Sequence, residues 1–302
     1  MMLQVLAVVL AAFTISPTPA AAQITSQGSS QVFNGPVAAG AWFRVRNLRG
    51  AIEVRQTSGR NVVVSATRGF DSGSDSDVRY DVLRDGANVT VCAIWPRTRR
   101  CDARGYDSDS DSRDWRERRA GKVDFVVELP RGINLVAATG NGTVHVRNTG
   151  AEVRASSGNG EVTVIGATGR VSASSGNGDL EVERAGGEVE ASTGNGDITV
   201  STSMGPVSAS SGNGSIDVDM ASLRSAENME FSTGNGSIEL KVPSSFSAVV
   251  EANVSYRNFE TDFPMQMADR WSSRRVEGRI GNGGRRIKFS TGNGHVRIRK
   301  NG

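Results

Sequence analysis

The sequence predicts an all-β protein, a single-chain β-solenoid with 18-residue coils that follows a cleaved signal peptide. Three observations carry this. Gly-Asn-Gly begins at residues 140, 158, 176, 194 and 212, every step being 18 residues, and returns at 234, 281 and 292. A fixed short period marks stacked repeats. Within each period apolar and polar residues alternate, as in Val153 and Ala155, Val162 and Val164, Leu180 and Val182, or Ile198 and Val200. Period two means strands with one buried face. Composition agrees: Gly is abundant at 36 residues and aromatic residues make up only 6%, so the recurring apolar groups are Val, Ile and Ala, which suit thin, layered β structure.

Along the chain, residues 1–22 read as a secretory signal. "LQVLAVVLAAF" is a short apolar run and "TISPTPAAA" supplies small residues for cleavage after Ala22, although "MMLQ" carries no Lys or Arg. No Cys follows that run, so a lipid anchor at the cleavage point is not expected, and no later window is apolar enough to span a bilayer. Residues 23–41 read as a linker. Residues 42–135 read as degenerate β coils: "VRNLRGAIEVRQTSG" places Gly50, Ile52 and Val54 where later coils carry Gly, Val and Val. "DGANVTVCAIWP" and "VDFVVELPRGINLVAATGNG" continue the pattern. Between them residues 102–122, polar and aperiodic, form a charged loop. Cys92 and Cys101 bracket "AIWPRTRR" and, in an oxidising compartment, close a disulfide at the base of that loop.

Residues 136–302 hold the regular repeats and a C-terminal cap. Each unit contains two short strands and two turns. Asn-Gly between alternating strands also fits an antiparallel meander. A meander gives no reason to keep one turn residue at every second corner. A solenoid does, because residue i then lies over residue i+18. Asn141, Asn159, Asn177, Asn195, Asn213, Asn235 and Asn293 would stack as a ladder of side-chain amides. The flanking glycines would permit the corner's backbone angles.

Chemistry is harder to find. His145 and His295 fall beside repeat turns and read as outward-facing coil residues, and with two cysteines they are too few and too scattered for zinc. "DSDSDSRD" lacks the glycine and the final acid of a calcium loop, Arg118 standing in the latter place, and reads as a solvated acidic segment. "GNGG" at 281–284 lacks the lysine and helix of a phosphate loop and reads as a turn. No Ser sits in a nucleophile elbow. Neither a cofactor nor a metal site is expected.

Charge is unevenly spread. Residues 124–219 contain twelve acids against five bases, whereas residues 253–302 contain eleven bases against four acids. Arg270, Arg274, Arg275, Arg285, Arg286 and Lys288 in the basic segment form a candidate face for an anionic partner. Nucleic acid is a poor fit for an exported chain with few aromatics to stack on bases.

The opening "FRVRNLRGAIEVRQTSGRNVVVSAT", the "VELPRGINLVAATGNG" segment, the recurrent [ST]-G-N-G-x-[IVL]-x-[VL] and the closing "GRIGNGG…IKFSTGNGHVRIR" together resemble the DUF4097 family of bacterial envelope β-repeat proteins, labelled as adhesins. The resemblance runs over residues 42–300 and implies an exported β-solenoid; it brings no catalytic residues. The function expected is a non-enzymatic envelope scaffold or adhesin-like module, in the periplasm, at the cell surface or outside the cell. It would bind a repetitive surface, polysaccharide or protein, through many weak polar contacts. Two alternatives stand beside it. One is a polysaccharide-active lyase or glycosidase using the stacked acids Asp179 and Asp197. The other is end-to-end self-association through solenoid ends.

Overall fold

A computed structural model describes residues 29–69, 78–95, 98–108, 121–223, 226–268 and 274–301. The expected signal peptide, the stretch 109–120 read as part of the charged loop, and Arg270 lie outside the described residues. Among the described residues no helix is long and apolar enough to cross a membrane.

The repeats fold as coils that each give one strand to a 13-stranded sheet and the next to a 12-stranded sheet. Val153–Asn159 enters the first and Val162–Ile165 the second, and the following coils repeat this with Val171–Asn177 and Leu180–Ala185, then Val189–Asn195 and Ile198–Thr202. The stacked strands run parallel, with Val153 beside Val171, Ala155 beside Ala173 and Asn159 beside Asn177. The same 18-residue offset pairs Val162 with Leu180 and Val164 with Val182. A meander would have paired neighbours antiparallel; the parallel register is that of a solenoid.

Inward residues of both sheets make one continuous core. In the 13-stranded sheet one inward file runs Ala155, Ala173, Ala191, Ala209 and then widens to Phe231 and Phe289. Those two rings stack with centroids 5.4 Å apart. Val, Ile and Leu fill the opposing files, so an aromatic-poor chain still buries a continuous apolar seam among the described residues.

Stacking order departs from sequence order at both ends. Trp42–Arg49 lies between Asn134–Asn141 and the later strand Asn88–Ile94, while Ile52–Thr57 lies between Val144–Arg147 and Lys122–Pro130. At the other end Arg286–Asn293 and Val296–Lys300 pack directly on Met229–Asn235 and Ile238–Val242. The earlier strands Ala248–Asn253 and Phe259–Thr261 lie outside them. The regular-pattern strands thus occupy the interior of the stack, and irregular antiparallel strands close it: Arg79–Asp85 and Ser29–Pro36 at one end, Val276–Ile280 and Met265–Met267 at the other.

Two expected boundaries change. The segment read as a linker carries the strand Ser29–Pro36, paired antiparallel with Asn61–Gly69. A single aromatic anchors it: Phe33 is buried and its ring lies 5.9 Å from that of Phe43. One buried side chain leaves too little alternation to register as a strand in the sequence. Within the stretch read as a charged loop, Tyr106–Ser108 pairs with Thr98–Cys101 as a hairpin, and Lys122 opens the next strand.

The corner explains the repeated phrase. Asn177 donates its Nδ2 to Oδ1 of Asn159 at 2.8 Å, and the pattern continues from Asn159 to Asn141, Asn195 to Asn177, Asn213 to Asn195, Asn235 to Asn213 and Asn293 to Asn235, all at 2.7–2.8 Å. The amides line an exposed corner and not the interior. Two residues before each asparagine a second ladder forms. The hydroxyls of Ser157, Ser175, Thr193, Ser211, Thr233 and Thr291 each donate to a glycine carbonyl of the previous coil at 2.8–2.9 Å. Both glycines of the phrase are sterically required. A Cβ on Gly176 would sit 2.5 Å from the Gly158 carbonyl oxygen, and one on Gly178 would sit 2.3 Å from that of Gly160. Gly178 also has φ +153°.

Candidate binding surface

Alternation along the repeat strand sends Val171, Ala173 and Ser175 inward and Ser172 and Ser174 outward. Stacking then converts one strand's outward residues into files. Ser156, Ser174, Ser192, Ser210, Ser232 and Ser290 form a single file of six serines across the outer face of the 13-stranded sheet. Successive members are one strand spacing apart, about 4.8 Å. Beside it runs a mixed file: Arg154, Ser172, Glu190, Ser208, Glu230 and Lys288. Ser172, Ser174, Ser192, Ser208, Glu190 and Glu230 line a shallow, open groove there. Six consecutive levels offer hydroxyls with no bulky side chain between them.

The face is bounded at both ends. At the N-terminal end Cys92 and Cys101 are disulfide-bonded, their Cα atoms 6.4 Å apart, and the hairpin they hold lies over the sheet. Arg46 donates to the Ala103 carbonyl at 2.7 Å, and the Tyr106 hydroxyl lies 2.7 Å from the Arg46 carbonyl and 2.8 Å from that of Ala93. Burial pushes the Tyr106 phenol well above its ordinary pKa and pulls the Arg46 guanidinium below its own. Arg154, also at this end, stacks over the Trp42 ring at 4.6 Å and pairs with Glu152 at 2.9 Å.

The C-terminal end holds the basic residues singled out by sequence, and most of the described ones have acidic company. Arg286 pairs with Glu251 at 2.6 Å, and Arg275 pairs with Glu277 and lies 3.8 Å from Glu251. Lys288 is flanked in register by Glu230 and Glu251. Arg285 is half-buried, which lowers its pKa. Part of the cationic excess in the sequence is therefore paired with Glu251 and Glu230 from neighbouring strands.

The outer face of the 12-stranded sheet differs in kind. Its files run His145, Thr163, Glu181, Thr199, Asp217, Glu239, Arg297 and, beside them, Arg147, Ile165, Glu183, Ser201, Asp219, Lys241, Arg299. Acids hold its middle. Arg297 and Arg299 at the end pair with Glu260 at 3.4 and 2.9 Å. His145 and His295 are half-buried on this side. Asp179 and Asp197 are adjacent in the stack, but each carboxylate accepts a backbone N–H of the next coil: Asp197 N at 2.8 Å and Ser215 N at 2.7 Å. Ser237 Oγ extends the same device to His295 N at 3.3 Å. These are corner-fastening groups. Among the described residues no three His, Cys, Asp or Glu side chains gather as metal ligands would.

The serine file was legible in principle: in "Ala-Ser-Ser-Gly-Asn-Gly" the first Ser must point outward if the Ala before it points inward.

An all-β solenoid with an exposed asparagine corner and a polar, groove-like face defines the class of protein. Residues 117–299 match the family described as Toastrack DUF4097, and the chain belongs to that family. No curated protein matches it. Among solved structures, a "putative adhesin" from Bacteroides fragilis is 13% identical with a TM-score of 0.45, covering 91% of this chain and 98% of that one. A "putative cell adhesion protein" from Clostridium sporogenes is 10% identical with a TM-score of 0.24, covering 91% and 99%. Family membership rests on the matched residues.

Proposed function

We propose that the protein is an exported, non-enzymatic scaffold or adhesion module of the bacterial envelope, and that the serine-lined face of its 13-stranded sheet engages a repetitive surface polymer. The observation that supports this most is the file of six serines at regular spacing. A polymer with a repeating polar unit would meet the same hydroxyl at level after level. Each contact is weak, but linked contacts multiply, because every contact after the first forms at high effective concentration. A polysaccharide fits this chemistry best. Export agrees with the disulfide, which belongs to an oxidising compartment; residues 1–22 would be removed on the way.

The enzymatic alternative requires free carboxylates converging on a bond, and the acids it relied on, Asp179 and Asp197, are engaged with backbone amides.

The test is co-sedimentation of the purified protein with envelope and polysaccharide fractions across a salt series, beside a triple variant Ser174→Ala, Ser192→Ala and Ser210→Ala. These replacements remove exposed hydroxyls without touching the inward ladder. Pelleting that the triple variant loses supports the reading, and its persistence at high salt would fit contacts made by neutral hydroxyls. Pelleting unchanged in the variant moves the binding surface elsewhere, and no pelleting at any salt overturns the proposal.

A further inference from the structure

Four strands close the edges of the two sheets, and they are not equivalent. Phe259–Thr261 and Met265–Met267 have three residues each, too short to template another strand. Ser29–Pro36 is longer but carries a register shift between Gln31 and Phe33 and ends in Pro36, which has no N–H. Arg79–Asp85 has seven residues paired with Asn88–Ile94 without a register shift, and it is the long regular edge among the described residues. Val82 and Leu83 on it are 40% and 41% exposed, two of the three exposed large hydrophobic side chains among the described residues.

Hydrogen-bond parity settles which backbone groups of this edge are free. Asp85 and Asn88 flank a two-residue turn with Gly86 at φ +58°. A two-residue hairpin makes its flanking residues a hydrogen-bonded pair, and such pairs alternate along the ladder. Asp85, Leu83, Asp81 and Arg79 therefore direct their N–H and C=O to the neighbouring strand. Arg84, Val82 and Tyr80 direct theirs outward.

The strand reads Arg-Tyr-Asp-Val-Leu-Arg-Asp, and reversed against itself about Val82 it sets opposite charges together at both ends, with Asp81 opposite Leu83 between them. Val82 then faces Val82 of the second copy, Tyr80 faces Arg84, and Arg79 faces Asp85. The pairs at 80, 82 and 84 fall on outward backbone groups, so parity permits this register and the end charges favour it. Arg79 and Asp85 fall in non-hydrogen-bonded positions, where opposing side chains approach most closely.

We propose that Arg79–Asp85 is a homodimerisation edge: two copies of this chain pair these strands antiparallel about a two-fold axis at Val82, joining their 13-stranded sheets into one. Such an interface is isologous and closed, so it yields a dimer and not a filament. It is β-strand addition with the same strand as guest and host. The proposal is independent of what the serine face binds.

The test is sedimentation equilibrium of the purified protein and four variants. Wild type should sediment as a two-chain species that dissociates on dilution. Val82→Lys places two ammonium groups at the axis and should be monomeric with unchanged circular dichroism, because Val82 is exposed and its backbone groups face outward; its melting should no longer depend on protein concentration. Arg79→Asp and Asp85→Arg should each weaken the dimer by about tenfold or more through like charges, and the double exchange should restore it. A monomeric wild type at every concentration overturns the proposal. So does a dimer indifferent to Val82→Lys, or a double exchange no tighter than the single ones.

Discussion

Asn177 holds Asn159 below it and Asn195 above it through side-chain amide hydrogen bonds of 2.8 Å each. The relation is directional: every amide donates towards the N-terminal end and accepts from the C-terminal side. An interior rung therefore takes part in two ladder bonds, whereas Asn293 only donates within the ladder and Asn141 only accepts. The corner is exposed, so water competes for each bond and its net worth is about 1 kcal/mol.

Asn177→Ala should accordingly lower stability by about 1–2 kcal/mol, and Asn293→Ala by about half as much. Urea unfolding of the two variants measures the difference. Equal losses would mean that the asparagines matter for their corner conformation and not for the bonds between coils.

Gly178→Ala should be far more damaging. The added Cβ would meet the Gly160 carbonyl oxygen at 2.3 Å, and the residue sits at φ +153°. Neither rigid backbone can yield without separating two coils. Strain at such a φ and overpacking each cost roughly 1–3 kcal/mol, so the variant should lose about 4 kcal/mol or fail to accumulate folded. Gly40→Ala is the control: φ is +79° but nothing lies within 4 Å of its Cβ, and its loss should stay near 1 kcal/mol. Thermal melts of both, side by side, separate contact from conformation.

The steric demand at Gly178 also explains how much of the architecture was legible. A residue required at one level is required at all, so the corner wrote itself into the sequence as a period, and Val162 over Leu180 or Asn159 over Asn177 followed from arithmetic. Where stacking does not repeat, that redundancy vanishes. The insertion of Trp42–Arg49 beneath the later strand Asn88–Ile94 depends on long-range pairing that no local pattern encodes. The same holds for the C-terminal strand Arg286–Asn293, slipped under Ala248–Asn253. Charge pairing also follows the fold and not the sequence order. Arg275 and Arg286 are close in a basic stretch, yet Glu251, well before them, is the acid that the fold places between them. The serine file needed both signals together, alternation to point Ser174 outward and the period to line it up with Ser192.

The inner ladder should cost more per bond than the exposed one. Thr193 is buried and its Oγ1 donates to the Gly178 carbonyl at 2.9 Å. Thr193→Val keeps the shape and removes the donor, leaving that carbonyl lone pair without its partner, and should lower stability by about 1–2 kcal/mol. Thr193→Ser should be milder, because Ser occupies the same position in neighbouring coils, as Ser175 and Ser211 do. Chemical unfolding of the two variants checks the order, and a Ser variant as unstable as the Val variant would point to the methyl group instead.

On the opposite face Asp217 should make the protein more stable when it is neutralised. Desolvation at the sheet surface raises its pKa above the ordinary carboxylate value; the Glu239 carboxylate adds to this, Lys241 opposes it, and Asp197 contributes in the same direction as Glu239. A folded-state pKa above the unfolded one means that the folded chain binds this proton more readily. Stability then falls as pH rises from the ordinary carboxylate value through the raised one, and the whole loss is present at neutral pH. Asp217→Asn removes the charge at every pH, so it should stabilise at pH 7 and lose that advantage near pH 3, where the wild-type carboxyl is protonated in both states. Asp217 is an exposed residue, and water and salt screen its neighbours, so the gain should be only about 0.5 kcal/mol. It should also shrink further in high salt. Melting curves of the two proteins at pH 3 and pH 7 decide it: a gain that persists at pH 3 would assign the effect to packing of the amide, and a loss at pH 7 would show that Asp217 is held by a favourable partner stronger than its acidic neighbours.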